Sequence, residues 1–178
     1  MKPAGRLFFA AAALAAGAAA NAALAQAPGR PDDAQIAHIA YTADTIDIEA
    51  GQLALQKSQN PQVRAFAQDM VRDHTAVNDK ALALVKKLGV EPQDNDTSRA
   101  LARQAEAETR RLEGLNGSAF DRAYAEHELA YHRQVNDAVR TALIPAAANP
   151  ELKGLLETGL KIFEGHQQHA EQLVRALR

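Results

Sequence analysis

The sequence contains no cysteine and no tryptophan, and it has only five phenylalanines and three tyrosines among 178 residues. Without cysteine, the fold has neither disulfides nor thiolate metal ligands. The formal net charge is −2, so no basic surplus exists to neutralise phosphates, and nucleic acid is not expected as a partner. A glycine-rich phosphate loop, a Ser-His-Asp pattern and an HExxH motif are also missing. These absences leave a chain rich in alanine, as expected where helices pack closely.

The amino terminus has the pattern of a signal peptide. Lys2 and Arg6 precede an uncharged, alanine-rich stretch at 7–22, and Ala23-Leu24-Ala25 supplies a small-x-small cleavage pattern before Gln26. We therefore expect residues 1–25 to be removed and residues 26–178 to form one exported, periplasmic domain without an integral membrane span. The alternative is an uncleaved membrane anchor, which is less favoured because alanine is only weakly apolar.

Residues that begin and end helices divide the remaining chain. Proline or asparagine-proline pairs precede three of the segments, and Gly89 follows one as a carboxyl-terminal cap. Pro145 is expected to end or kink the helix that contains it. These start and stop residues predict four long helices at about 33–58, 61–88, 118–146 and 150–176, and a shorter charged segment at about 98–113.

The apolar residues recur with a helical period. In the second helix, for example, Val63, Met70, Val77 and Leu84 occupy one heptad position. Four such stripes predict an all-α four-helix bundle. The segment at 98–113 has a thin apolar line and is long enough to cross the length of a bundle, as in ferritin-like folds. A simple up-and-down bundle with a helical loop is the alternative.

Polar residues interrupt these stripes near the middle of each long helix. His74 and His166 replace apolar residues in the second and fourth helices, Glu128 and His132 lie one turn apart in the third, and Glu49 lies at the edge of the first stripe. Imidazole and carboxylate groups from facing helices are common ligands of divalent metals in bundle interiors. The predicted metal ligands are therefore Glu49, His74, Glu128, His132 and His166. One zinc, iron, manganese or copper ion would fit them. The alternative is a packed polar network without a metal.

Two stretches carry a family resemblance. The sequence FAQDMVRDH at 66–74 and the sequence FDRAYAEHELAYH at 120–132 resemble the bacterial family of domain of unknown function 4142, described as ferritin-like and often labelled an outer-membrane protein. The resemblance implies an exported ferritin-like fold, which favours the crossover, and it assigns no activity. Di-iron ferritin-like sites use Glu-x-x-His on two helices, but Val71 and Phe163 stand three residues before His74 and His166. A mononuclear site is therefore expected instead of a di-iron ferroxidase centre.

Two functions follow from these patterns. The first is a metal-binding bundle in metal handling or oxidative-stress defence. The second is a non-enzymatic structural or stress-response bundle whose interior histidines are only packed polar groups. The sequence favours no enzymatic reaction, and it is compatible with a homo-oligomer.

Overall fold

The computed structural model describes residues 29–178, so the expected signal peptide at 1–25 and its cleavage site lie outside the described residues. The described chain is all-α, as the sequence predicts, and residues 29–178 contain no strand. No helix in this part of the chain combines the length and the apolar character needed to cross a membrane. The helices are α1 (Asp33–Lys57), α2 (Pro61–Leu88), α3 (Asp96–Glu113), α4 (Gly117–Ala138), α5 (Ile144–Ala146) and α6 (Pro150–Ala176), with a π-helical segment at Val139–Leu143.

Local sequence explains most of the helix ends. Asn60 and Asn149 each accept backbone N–H bonds at the start of a helix whose first residue is proline. Asp32 forms a capping box with Gln35 at the start of α1. Gly89 ends α2 in the left-handed conformation with φ 63°, which a residue with a Cβ adopts at a cost.

The third long helix begins within one residue of its predicted start, and its regular α-helical conformation is interrupted before its predicted end. It begins at Gly117, and its N-cap residue Asn116 makes no side-chain cap bond; the Asn116 Oδ1 instead accepts a hydrogen bond from Lys57 Nζ at 3.3 Å. It is also not continuous to residue 146, since the π-helical segment separates α4 from α5. Pro145 explains the interruption: it has no N–H to bond to the carbonyl four residues earlier, and a widened turn accommodates that loss.

The four long helices contact one another in a closed cycle. α1 packs against α2, α2 against α6, α6 against α4, and α4 against α1. α3 lies on α1 and runs along its length. Gln93 just before α3 donates its N–H to Ala34 near the start of α1, whereas Lys57 at the end of α1 donates to the Glu113 carbonyl at the end of α3. This return path lets α4 start at the same end as α2, so the two helices run parallel.

Two apolar clusters fill the interior, and a polar layer lies between them. One cluster, near the start of α2, contains Phe66, Met70, Phe120 and Tyr124. The other, near the start of α1, is formed by aliphatic residues: Ile36, Ile39, Val139, Leu143, Leu152 and Leu156. His74 of α2, His132 of α4 and His166 of α6 lie between these clusters.

Helices α1 and α2 approach closely at Gly51. A Cβ added to this residue would lie 2.9 Å from Val71 Cγ2 and 3.1 Å from the Ala67 carbonyl oxygen. The absence of a side chain therefore permits the spacing of the two helices and fixes the rotation of α1 about its own axis.

Candidate metal centre

Three histidines from three helices converge in the polar layer. His74 comes from α2, His132 from α4 and His166 from α6, and all three are buried. Their ring centroids lie 5.7 Å (His74 to His132), 5.2 Å (His74 to His166) and 5.5 Å (His132 to His166) apart. One ring nitrogen of each histidine can be chosen so that the three atoms lie within 4.8 Å of one another. The described residues therefore include a buried group that could hold a metal ion.

One nitrogen of each ring is held by a protein oxygen. His74 Nδ1 lies 2.7 Å from Asp44 Oδ1, His132 Nδ1 lies 3.0 Å from the Glu128 carbonyl oxygen, and His166 Nε2 lies 3.0 Å from Asp73 Oδ2. Each oxygen can accept a hydrogen bond from the ring when the imidazole carries a proton on that nitrogen. These bonds select the tautomer and orient the ring, as second-shell partners do in metal sites.

The other nitrogen of each ring has no hydrogen-bond partner. These atoms are His74 Nε2, His132 Nε2 and His166 Nδ1, and all three are buried. Buried polar atoms in folded proteins are nearly always hydrogen-bonded, so three unpartnered acceptors in one layer call for an explanation. The tautomers set by the outer bonds leave a lone pair on each of these nitrogens, which is the form that coordinates a metal.

Two buried carboxyl groups lie beside the histidines. Asp47 Oδ2 lies 3.6 Å from His74 Nε2, and ligand atoms of Asp47, Glu128 and His132 also lie within 4.8 Å of one another. Glu128 is fully buried, and neither of its side-chain oxygens has a hydrogen-bond donor. The layer thus offers three imidazoles and two carboxyl groups around one shared residue, His132.

The protonation states follow from burial. Burial raises the pKa of Glu128 from its usual value of 4.5 to about 8. Burial, followed by the neighbouring Glu128 and Asp44 carboxylates, raises the pKa of Asp47 well above its usual range. The carboxyl pair therefore retains a proton at neutral pH when no cation compensates its charge.

The imidazoles respond in the opposite sense. Burial and then repulsion by His74 and His166 lower the pKa of His132 to about 3. Burial also lowers the pKa of His166, although its hydrogen bond to Asp73 acts against that shift. His132 and His166 are therefore neutral at physiological pH, as metal coordination requires.

Aromatic residues complete the walls of the layer. The Phe163 ring stacks on the His74 ring, with centroids 4.5 Å apart and an interplanar angle of 6°. The Tyr131 hydroxyl donates to the Ala43 carbonyl oxygen at 3.1 Å. These contacts restrict the movement of the histidine rings and of α1 beside them.

The structure brings together four of the five ligands expected from the sequence. His74, Glu128, His132 and His166 share the layer, but Glu49 does not. Glu49 is exposed and lines a surface groove between α1 and α3. Glu49 stays outside the layer because it lies two residues after Asp47, which places it on a different side of a helix with 3.6 residues per turn.

The carboxylates that α1 contributes are Asp44 and Asp47, which the sequence interpretation missed. A signal for them was present in the spacing of small buried or half-buried residues at three- and four-residue intervals: Ala37, Ala40, Asp44, Asp47, Gly51 and Ala54. This line faces α2, and the two aspartates interrupt it. The predicted apolar stripe of α1 was instead based on larger residues such as Ile39 and Ile46, which lie on a neighbouring face of the helix.

The comparisons with known proteins place the chain in a family. No curated protein matches this chain significantly, and neither does any solved structure. The model of the family described as domain of unknown function (DUF4142) matches residues 14–173, which is most of the chain. The resemblance expected from the two sequence stretches is thereby confirmed, and the chain belongs to the DUF4142 family.

Proposed function

We propose that this protein binds one divalent first-row metal ion through His74, His132 and His166, with Asp47 as the fourth ligand. The observation that carries the proposal is the set of three buried nitrogens that lack partners, while the opposite nitrogen of each ring is held by an oxygen. Unless a metal ion or another partner binds them, these three nitrogens stay unsatisfied, at a cost of about 1–3 kcal/mol for each atom.

The distances suit a four-coordinate ion. In a tetrahedral zinc site with bonds of about 2.0–2.1 Å, neighbouring ligand atoms lie about 3.3 Å apart. The separation of 3.6 Å between His74 Nε2 and Asp47 Oδ2 is close to that value. A small inward movement of the rings would bring the three nitrogens to the same spacing. Glu128 then stands beside the ion as a further ligand or as the group that keeps the proton.

The ligand set favours one ion over a di-iron centre. The three histidines share a single layer, and Asp44 is engaged by His74 at 2.7 Å. Only Asp47 and Glu128 remain as carboxyl ligands, whereas ferritin-like di-iron sites use four carboxylates with two histidines. Three imidazoles and one carboxylate suit Zn²⁺, Fe²⁺ or Mn²⁺, and Cu²⁺ is also compatible with nitrogen ligands.

We also propose that the fold is a ferritin-like four-helix bundle. The support is the closed cycle of α1, α2, α6 and α4, together with the return of the chain along α1 through α3. One long crossover that leaves the second and third long helices parallel is the connection of ferritin-like bundles.

With a signal peptide at 1–25, this protein would act in the periplasm, in metal handling or in oxidative-stress defence. Amino-terminal sequencing of the exported protein should then begin at Gln26.

Titration of metal-free protein tests the metal proposal. We expect one equivalent of Zn²⁺, Fe²⁺, Mn²⁺ or Cu²⁺ to bind, and the variants His74→Ala, His132→Ala and His166→Ala each to weaken binding at least 100-fold. His38→Ala is the matched control because His38 lies on α1 in the surface groove, away from the three histidines. If none of the metals binds wild-type protein more tightly than the His74→Ala variant, the proposal is wrong. In that case the single changes should affect only stability, as in the structural alternative.

A further inference from the structure

A cavity of about 260 Å³ lies beside the polar layer, toward the start of α1. Its walls are almost entirely aliphatic and come from α1, α2, α3, α4, the π-helical segment and α6. Asp44 is the sole ionisable residue among the residues that line it. Binding pockets for small molecules typically combine such apolar walls with a few polar groups.

Small residues on facing helices create this space. Ala43 of α1, Ala81 of α2, Ala142 of the π-helical segment and Gly159 of α6 all line the cavity. Longer aliphatic side chains at these positions would fill it. Protein interiors are otherwise packed with few voids larger than a water molecule, because lining atoms lose dispersion contacts at a void. The small side chains therefore leave space for a ligand between the helices.

The π-helical segment forms part of the wall. Val139 and Leu143, its first and last residues, both line the cavity and are buried. Single π-helical turns inside α-helices occur frequently at functional sites, since the widened turn displaces side chains from their regular positions.

The cavity extends from the surface to the candidate metal centre. Exposed residues at its outer edge are Thr97 of α3, and Gln134 and Ala138 of α4. Asp44 and Phe163, which also line it, both contact His74: the first through a hydrogen bond and the second by stacking. A molecule that enters between α3 and α4 would reach the side chains that hold a candidate metal ligand.

We propose that this cavity binds an uncharged aliphatic molecule of about ten carbon atoms, such as a medium-chain alcohol. The size follows from the volume, because a cavity of about 150 Å³ accepts benzene. The charge follows from the lining: no lysine or arginine lines the walls to receive an anionic head group, and Asp44 is already engaged by His74 at 2.7 Å. A charged head group of either sign would also lose its hydration on entry. A hydroxyl group, in contrast, can donate a hydrogen bond to a carboxylate.

Calorimetric titration with 1-decanol, decanoate and decylammonium tests this inference. Metal-free protein is used, so that a failure of metal binding and a failure of alcohol binding are separate results. We expect one saturable site for 1-decanol and at least tenfold weaker binding of both charged probes. Absence of a saturable site for 1-decanol, or tighter binding of either charged probe, would overturn the proposal.

Matched variants locate the binding site. Ala43→Leu and Ala81→Leu place a larger side chain into the cavity from opposite walls, and each should weaken 1-decanol binding at least tenfold without lowering the melting temperature. Ala107→Leu is the control because Ala107 is exposed on α3 and does not line the cavity. If both cavity variants fold and bind 1-decanol as wild-type protein does, the cavity is not the site. If the cavity variants fail to fold, the affinities of wild-type protein for the three probes still decide the proposal.

Discussion

Replacing Glu128 by glutamine should stabilise the metal-free protein at alkaline pH. Glu128 is fully buried without a hydrogen-bond donor, and burial raises its pKa from 4.5 to about 8. Because the folded-state pKa lies above the unfolded one, the stability that protonated Glu128 contributes is fully present below pH 4.5. It is lost progressively as the pH rises through about 8. A glutamine side chain has nearly the same shape as protonated glutamate, but it does not ionise.

The size of the effect follows from the shift in pKa. The difference between 4.5 and about 8 corresponds to a loss of about 4–5 kcal/mol once the carboxyl group ionises. The Glu128→Gln variant should therefore be about 4 kcal/mol more stable than wild type at pH 8 and about equally stable at pH 4.5. His132 is present in both proteins, and its low pKa makes the stability of each fall as the pH drops from 6.5 toward about 3.

Urea denaturation in the presence of a chelator measures this difference. With a slope of about 2 kcal/mol/M, the denaturation midpoint at pH 8 should rise by about 2 M. Glu126→Gln is the matched control, since Glu126 is exposed on the same helix and its variant should follow wild type at every pH. If the Glu128→Gln midpoint follows wild type at both pH 4.5 and pH 8, Glu128 does not hold a buried proton and the electrostatic account of the site fails.

The other predictions concern the site, the core and the contact between helices. Asp44→Asn should weaken metal binding about 10–100-fold while the protein remains folded, because it alters the group that accepts a hydrogen bond from His74 and orients its ring. Unchanged affinity in a metal titration would mean that Asp44 does not support His74 in this way. Phe66→Ala should destabilise the protein by about 3–5 kcal/mol through a cavity in the core. Arg110→Ala, on the exposed face of α3, should change the free energy of unfolding by less than about 0.5 kcal/mol. Equal effects of the two changes in urea denaturation would mean that the core is misassigned. Gly51→Ala should cost about 1–3 kcal/mol by overpacking. Gly154→Ala is the control, because a Cβ at this position meets nothing within 4 Å; it should stabilise the protein by about 0.5–1 kcal/mol in the same denaturation assay. A Gly51→Ala variant as stable as wild type would refute the close approach of α1 and α2 at Gly51.

The sequence by itself determined the secondary structure and most of the candidate ligands. Asparagine-proline pairs and Gly89 act through backbone groups within a few residues, so the boundaries of α1, α2 and α6 follow from local chemistry. A histidine inside an apolar heptad stripe faces the interior wherever the helix packs. His74 and His166 were therefore identifiable without knowledge of the helix neighbours.

Only the tertiary structure decided which residues of α1 complete the layer. Glu49 and Asp47 are two residues apart, and the rotation of α1 about its axis selects between them. That rotation is set by the close approach of α2 at Gly51, which involves Val71 and Ala67 from a different helix. Likewise, alanines in a sequence indicate close packing but do not reveal whether the opposite residue is large or small. Whether they give a filled core or a cavity of about 260 Å³ depends on which side chains face them across the interior, and that pairing exists only in the folded chain.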